Sequence, residues 1–78
     1  MQRILARLAA RLKQLRKERS ISQEDFAHKA GLHRVGYGWI EQRKRIPNLA
    51  TLVKIAAALD ISLSELFSDV DRPRKKRR

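Results

Sequence analysis

The chain has 78 residues, with 19 Lys and Arg against 8 Asp and Glu, a formal net charge of +11, and no cysteine. A chain this short buries only about 60–65% of the surface its unfolded form exposes, which leaves room for one small domain and none for a deep catalytic cleft. Disulfides and thiolate metal sites are excluded, which suits a reducing cytoplasm; no run of about 18 apolar residues is present to span a membrane; and the charge excess calls for a polyanionic partner, most often nucleic acid.

Taken in chain order, Ile4, Leu5, Leu8, Leu12 and Leu15 recur at helical spacing, with Arg3, Arg7 and Arg11 four apart on another face, and predict an amphipathic helix over about 2–18. Ser20 and Ser22 break the pattern, with Ile21 between them able to dip into the core. Ser22-Gln23-Glu24-Asp25 reads as an N-cap followed by first-turn acids, which favour the positive end of the helix dipole. That second helix is short and stops at Gly31, the natural left-handed terminus. A third is expected over about His33–Gln42, burying Leu32, Tyr37 and Ile40. The loop Arg43-Lys44-Arg45-Ile46-Pro47 is basic and closed by proline. Asn48 then caps a fourth helix expected to carry Leu49, Leu52, Ile55, Ala56 and Leu59 on its buried face. Ser62-Leu63-Ser64-Glu65 fits a capping box and opens a fifth, with Leu63, Leu66 and Phe67 inside. No window alternates with period two. The expected fold class is all-α, a five-helix bundle over residues 1–69 followed by a tail at 70–78.

The charge is unevenly placed. The segment Arg72–Arg78 holds six basic residues around Pro73 and no acid, whereas residues 1–71 carry thirteen bases and eight acids, a net of +5. A like-charge block with nothing apolar to bury is expected to stay disordered until it meets phosphate. A phosphate-tracking arm, a solubilising terminus and an import signal share this composition.

The stretch from Gln23 to Gln42 carries the functional signal. Small or apolar residues stand at Phe26, Ala27, Ala30, Leu32, Tyr37 and Ile40, with Gly31 between the two helices. Two short helices crossing at about 90–120° through a tight turn need this set: a small residue where they touch, a glycine at the corner, apolar side chains filling the angle. Chemistry of other kinds finds no support. Glu24 and Asp25 are adjacent and point to different faces, His28 and His33 lack companion ligands, and no nucleophile–base pair or phosphate-binding glycine loop occurs. Neither catalysis nor a metal or cofactor is expected.

This stretch, with Leu12–Arg16, Ile21–Ala27, Ile40-Glu41, Pro47 and Ala57–Leu66, resembles the helix-turn-helix of the Cro/CI-type (XRE-type) repressor family over about residues 12–67. The run Gly31-Leu32-His33-Arg34 is similar to the subgroup of controller proteins from restriction–modification systems, which are small homodimeric regulators. The resemblance implies that Gln23 contacts a phosphate and braces the recognition helix. It implies a base-reading face at His33, Arg34, Val35, Gly38, Trp39 and Gln42, and a buried ion pair between Arg16 and Glu41.

The residue chemistry fits those roles. Arg34 in the first turn of the third helix can reach the major-groove floor, where a bidentate contact to guanine contributes about 1–3 kcal/mol of discrimination. Val35 can pack on a thymine methyl. Lys44 and Arg45 stand where flanking phosphates would lie, and the N-termini of helices two and four offer free N–H groups to the same backbone.

Several positions depart from the family pattern. Arg43 replaces the usual glycine after the glutamate, His33 replaces the usual Ser or Thr cap, and Gly36 and Gly38 interrupt the third helix at about 1 kcal/mol each relative to alanine. Two readings of these glycines stand: they weaken the helix, or they let its backbone approach the bases. Trp39 turns outward if Tyr37 and Ile40 face the core, toward DNA in one reading and toward helix one or a partner subunit in another. Residues 1–11 extend beyond the family's usual start and are expected to lengthen helix one against the domain or a dimer partner.

The expected function is sequence-specific transcriptional regulation, as repressor or activator, by a cytoplasmic, nucleoid-associated homodimer on double-stranded DNA. Its dimer surface is expected around Leu63, Leu66 and Phe67, and no membrane or small-molecule ligand is expected. Two other readings remain: an antitoxin or adaptor using the same fold to bind protein, and a non-specific nucleic-acid binder driven by charge.

Overall fold

The computed structural model describes residues 2–68 and 70; the basic run Arg72–Arg78 expected as a tail lies outside the described residues. The described residues form five helices, α1 (Gln2–Glu18), α2 (Gln23–Ala30), α3 (Arg34–Glu41), α4 (Leu49–Leu59) and α5 (Leu63–Leu66), with no strand among them.

Helix starts follow the sequence signals. Ser22, Asn48 and Ser62 each accept a hydrogen bond at the side-chain oxygen from the backbone N–H three residues on, at 3.0, 2.8 and 3.0 Å. Each such cap contributes about 1 kcal/mol. His33 stands at the N-cap of α3 in extended geometry and makes no side-chain cap bond.

Helix ends share one device. Gly31 takes φ 74°, and Ser20, Arg43 and Asp60 take the same left-handed conformation at φ 55°, 64° and 59°. Around each, the next residue's N–H reaches back five positions: Ile21 to the Arg16 carbonyl, Leu32 to Ala27, Lys44 to Trp39 and Ile61 to Ala56. These paired bonds satisfy the last carbonyls of α1 to α4. Only the second of the four ends uses glycine.

The core gathers Leu8, Leu12 and Leu15 of α1, Phe26, Ala27 and Ala30 of α2, Tyr37 and Ile40 of α3, Ile55, Ala56, Ala58 and Leu59 of α4, and Leu66 of α5. Phe26 and Tyr37 meet in the angle between α2 and α3, ring centroids 5.1 Å apart and planes tilted by 54°. That geometry suits the opposed edge and face potentials of two aromatic rings. Val70 is also fully buried, so the core runs one residue into the stretch that the sequence reading assigned to the tail.

Two expectations for the apolar face are corrected. Leu49 is 67% exposed rather than buried, because at about 100° per residue the buried face of α4 centres between Leu52, Ile55 and Leu59 and leaves Leu49 at its edge. Val53 lies further round and is also exposed. Leu66, expected at a dimer surface, is wholly inside the protomer; Leu63 and Phe67 pack on the core half-buried.

Candidate nucleic-acid interface

The centre of the site is a buried carboxylate. Glu41, in the last turn of α3, is 4% exposed and accepts four hydrogen bonds. Arg16 of α1 donates from Nε at 2.8 Å to Oε2 and from Nη2 at 3.0 Å to Oε1. Gln23 of α2 donates from Nε2 to Oε1 at 2.9 Å, and the Tyr37 hydroxyl donates to Oε2. Two carboxylate oxygens offer about four acceptor positions, so the group is fully satisfied. Arg16 spends its remaining Nη1 on the Ile21 carbonyl at 2.7 Å, which fixes the turn leading into α2. Three helices are thereby bolted to one carboxylate, and the orientation of α3 is set from behind.

The electrostatics follow from that geometry. Burial pushes the Glu41 carboxyl up, but the bonds from Arg16, Tyr37 and Gln23 outweigh it and hold the carboxyl below the ordinary range. The same bond raises the Arg16 guanidinium further above its already high value. Burial, and then the bond to Glu41, push the Tyr37 phenol far above its usual titration range. All three groups keep one charge state through the neutral range.

On the opposite side, α3 and the following loop present a polar and cationic surface. His33, Arg34, Val35, Trp39, Gln42, Lys44 and Arg45 are exposed, and Gln23 is half-exposed at the start of α2. Arg34 makes a loose 3.8 Å pair with Glu24, both side chains mostly exposed. Such a pair contributes little in water and releases easily to a better partner. Arg45 folds back over α3, its guanidinium carbon 5.2 Å from the centroid of the Trp39 ring.

Gly38 is placed differently from the rest of the expected reading face. It is buried, and a Cβ there would sit 3.5 Å from the Gln23 Oε1 and 3.7 Å from the Gln42 Nε2, ordinary contact distances. The position therefore tolerates alanine sterically.

Sequence reasoning missed two contributors. Tyr37 was expected only as core, yet its hydroxyl joins the Glu41 network; a buried tyrosine one helical turn before a buried glutamate was the available signal. Arg19 was not singled out, yet it donates to the carbonyls of Leu15 at 3.0 Å and Leu59 at 3.2 Å, tying the end of α1 to the end of α4. The N-terminal extension is held similarly: Arg11 Nη2 donates to the Glu65 carbonyl at 2.9 Å, and Leu5, Leu8 and Ala9 are buried.

Comparison with known proteins places this geometry in context. The profile of the family described as "Helix-turn-helix" matches residues 12–66. The control protein C.MunI of Mycoplasma sp is 48% identical over 73 residues, covering 92% of this chain and 99% of that protein. The control protein C.SmaI of Serratia marcescens is 36% identical over 61 residues, 78% of this chain and 73% of that one. Among solved structures, the restriction–modification controller protein C.AhdI from Aeromonas hydrophila superposes with a TM-score of 0.78 at 40% identity, covering 81% of this chain and 96% of that chain.

Proposed function

The chain belongs to the helix-turn-helix family of DNA-binding transcription regulators, and we propose that it works as a homodimer reading a two-fold-symmetric operator, in the manner of a restriction–modification controller. The observation that carries this reading is the two-sidedness of α3: Glu41 locks its inner side to α1 and α2, while Arg34, Val35 and Trp39 face solvent with cationic Lys44 and Arg45 beside them. A rigidly mounted helix with exposed reading side chains is what entry into a major groove requires.

In this reading Arg34 leaves Glu24 for a guanine edge and Val35 meets a thymine methyl. His33 and Gln42 extend the reading face, while Lys44 and Arg45 register the helix on the phosphates, joined by Gln23 and by the free N–H groups at the starts of α2 and α4. Gly38 is buried behind that face, next to Gln23 and Gln42.

One such helix makes few base contacts, so two copies on two half-sites are needed for tight specific binding. Support for a second copy comes from apolar surface left uncovered: Ile46, Leu49 and Val53 are exposed by 59, 67 and 48%, and Ala50 and Ala57 continue the stripe along α4. We place the dimer surface along this stripe and the half-buried Leu63 and Phe67. Selection of bound sequences from a random DNA pool tests the proposal. An inverted repeat with half-sites about one helical turn apart, about 34 Å, is the expected result. A single asymmetric element, or no preference at all, overturns it.

A further inference from the structure

The two glycines of α3 have different neighbours, and Gly36 has a specific one. A Cβ built at Gly36 would stand 3.4 Å from Arg45 Nη1, and the same guanidinium lies 5.2 Å from the Trp39 ring centroid. Gly36 and Trp39 are three residues apart on a helix and so share a face. The Arg45 side chain starts in the loop after α3 and returns over that face. It lies within contact distance of a Cβ at position 36, where a longer side chain would meet it, and it lies on the tryptophan.

We propose that Gly36 and Trp39 form a cradle that holds the Arg45 guanidinium against the exposed surface of α3, so that Trp39 is a positioning residue acting on DNA through Arg45. The inference rests on α3 being the DNA-facing helix.

Arginine is suited to such a seat. Its planar, weakly hydrated guanidinium stacks on an aromatic face within about 6 Å of the centroid and still points its N–H donors outward. A long side chain waving from a loop loses rotamer freedom when it binds a phosphate; one already laid on a ring has lost part of it beforehand. The cradle also gives a reason for a small residue at position 36: a side chain longer than a methyl would take the place of the one that comes from position 45.

Trp39 is the chain's only tryptophan, so the cradle can be read in the free protein by its fluorescence. Arg45→Ala and Gly36→Leu should change the emission in the same way, with helix content by circular dichroism unchanged. Gly36→Ala should leave the emission as in the wild type, because a methyl there only touches the guanidinium. Unchanged emission in Arg45→Ala overturns the cradle whatever happens on DNA.

Binding to the selected operator then tests the coupling. Trp39→Leu should weaken binding about three- to fivefold in the wild-type background and have no measurable effect in the Arg45→Ala background. Trp39→Phe, which keeps an aromatic face, should recover most of the loss. Equal effects of Trp39→Leu in both backgrounds overturn the proposal and make Trp39 a direct DNA contact. If Arg34→Ala also leaves binding untouched while the fluorescence results hold, the fault lies in the choice of α3 and not in the cradle.

Discussion

Glu41 ties the fold to the function at the scale of a single residue. Removing one partner of a buried ion pair leaves the other charge uncompensated and typically costs about 3–5 kcal/mol, far more than the pair itself contributes over an apolar substitute. Glu41→Gln should therefore destabilise the domain by about 3 kcal/mol in denaturant titration, with Arg16 left charged in a buried position. Acid should act the same way. A carboxyl held below its ordinary value in the folded state stabilises the fold above about pH 4.3, the unfolded value, and the contribution is lost as pH falls through the lower folded value. Unfolding measured from pH 7 down to pH 2 should show this acid limb in the wild type and a flatter one in Glu41→Gln. The Arg16–Glu41 pairing was legible only through resemblance: the two residues are 25 apart, and no periodicity connects them. That Tyr37 and Gln23 complete the coordination was legible only in part, from the spacing of Tyr37 one turn before Glu41 and from the bracing role the resemblance implied for Gln23, because hydrogen-bond partners of a buried group depend on how helices cross.

At the scale of the elements, the starts of helices were written in the sequence and their ends mostly were not. Ser22, Asn48 and Ser62 are polar residues placed just before apolar runs, and all three cap as their chemistry dictates. Gly31 announces a left-handed end. Ser20, Arg43 and Asp60 adopt the same conformation without a glycine to signal it, because back-reaching N–H bonds impose it at all three, joined after Ser20 and Asp60 by the packing of Ile21 and Ile61 on the core. An L side chain pays about 1 kcal/mol for that region, so Arg43→Gly should raise stability by about 0.5–1 kcal/mol while weakening DNA binding through the lost charge. Gly38→Ala should also stabilise by about 0.5–1 kcal/mol through helix propensity, since its Cβ meets only ordinary contacts. Thermal unfolding of the two variants decides both. A loss of stability in Gly38→Ala would mean that the packing of Gln23 and Gln42 against α3 is tighter than the distances allow.

For the whole molecule, the five-helix architecture and the helix-turn-helix could be read from spacing, while the surfaces could not. Leu49 matched the apolar pattern of α4 but stands at the edge of its buried face and is exposed; Leu66 looked surplus and is buried, an outcome that depends on where neighbouring helices end, which the periodicity of one helix does not contain. The exposed stripe of Ile46, Leu49 and Val53 predicts self-association, so Val53→Glu should shift sedimentation from dimer toward monomer and weaken operator binding without lowering helix content. We propose, more narrowly, that α3, mounted on Glu41, reads bases through Arg34. That role of Arg34 is tested most directly by selecting sequences from a random DNA pool with the wild type and with Arg34→Ala in parallel, and by measuring the salt dependence of both. Arg34→Ala should lose preference at one base position per half-site and keep nearly the same salt slope, whereas Lys44→Ala should weaken all sequences alike and lower the slope by about one. An unaltered base preference in Arg34→Ala would contradict that role.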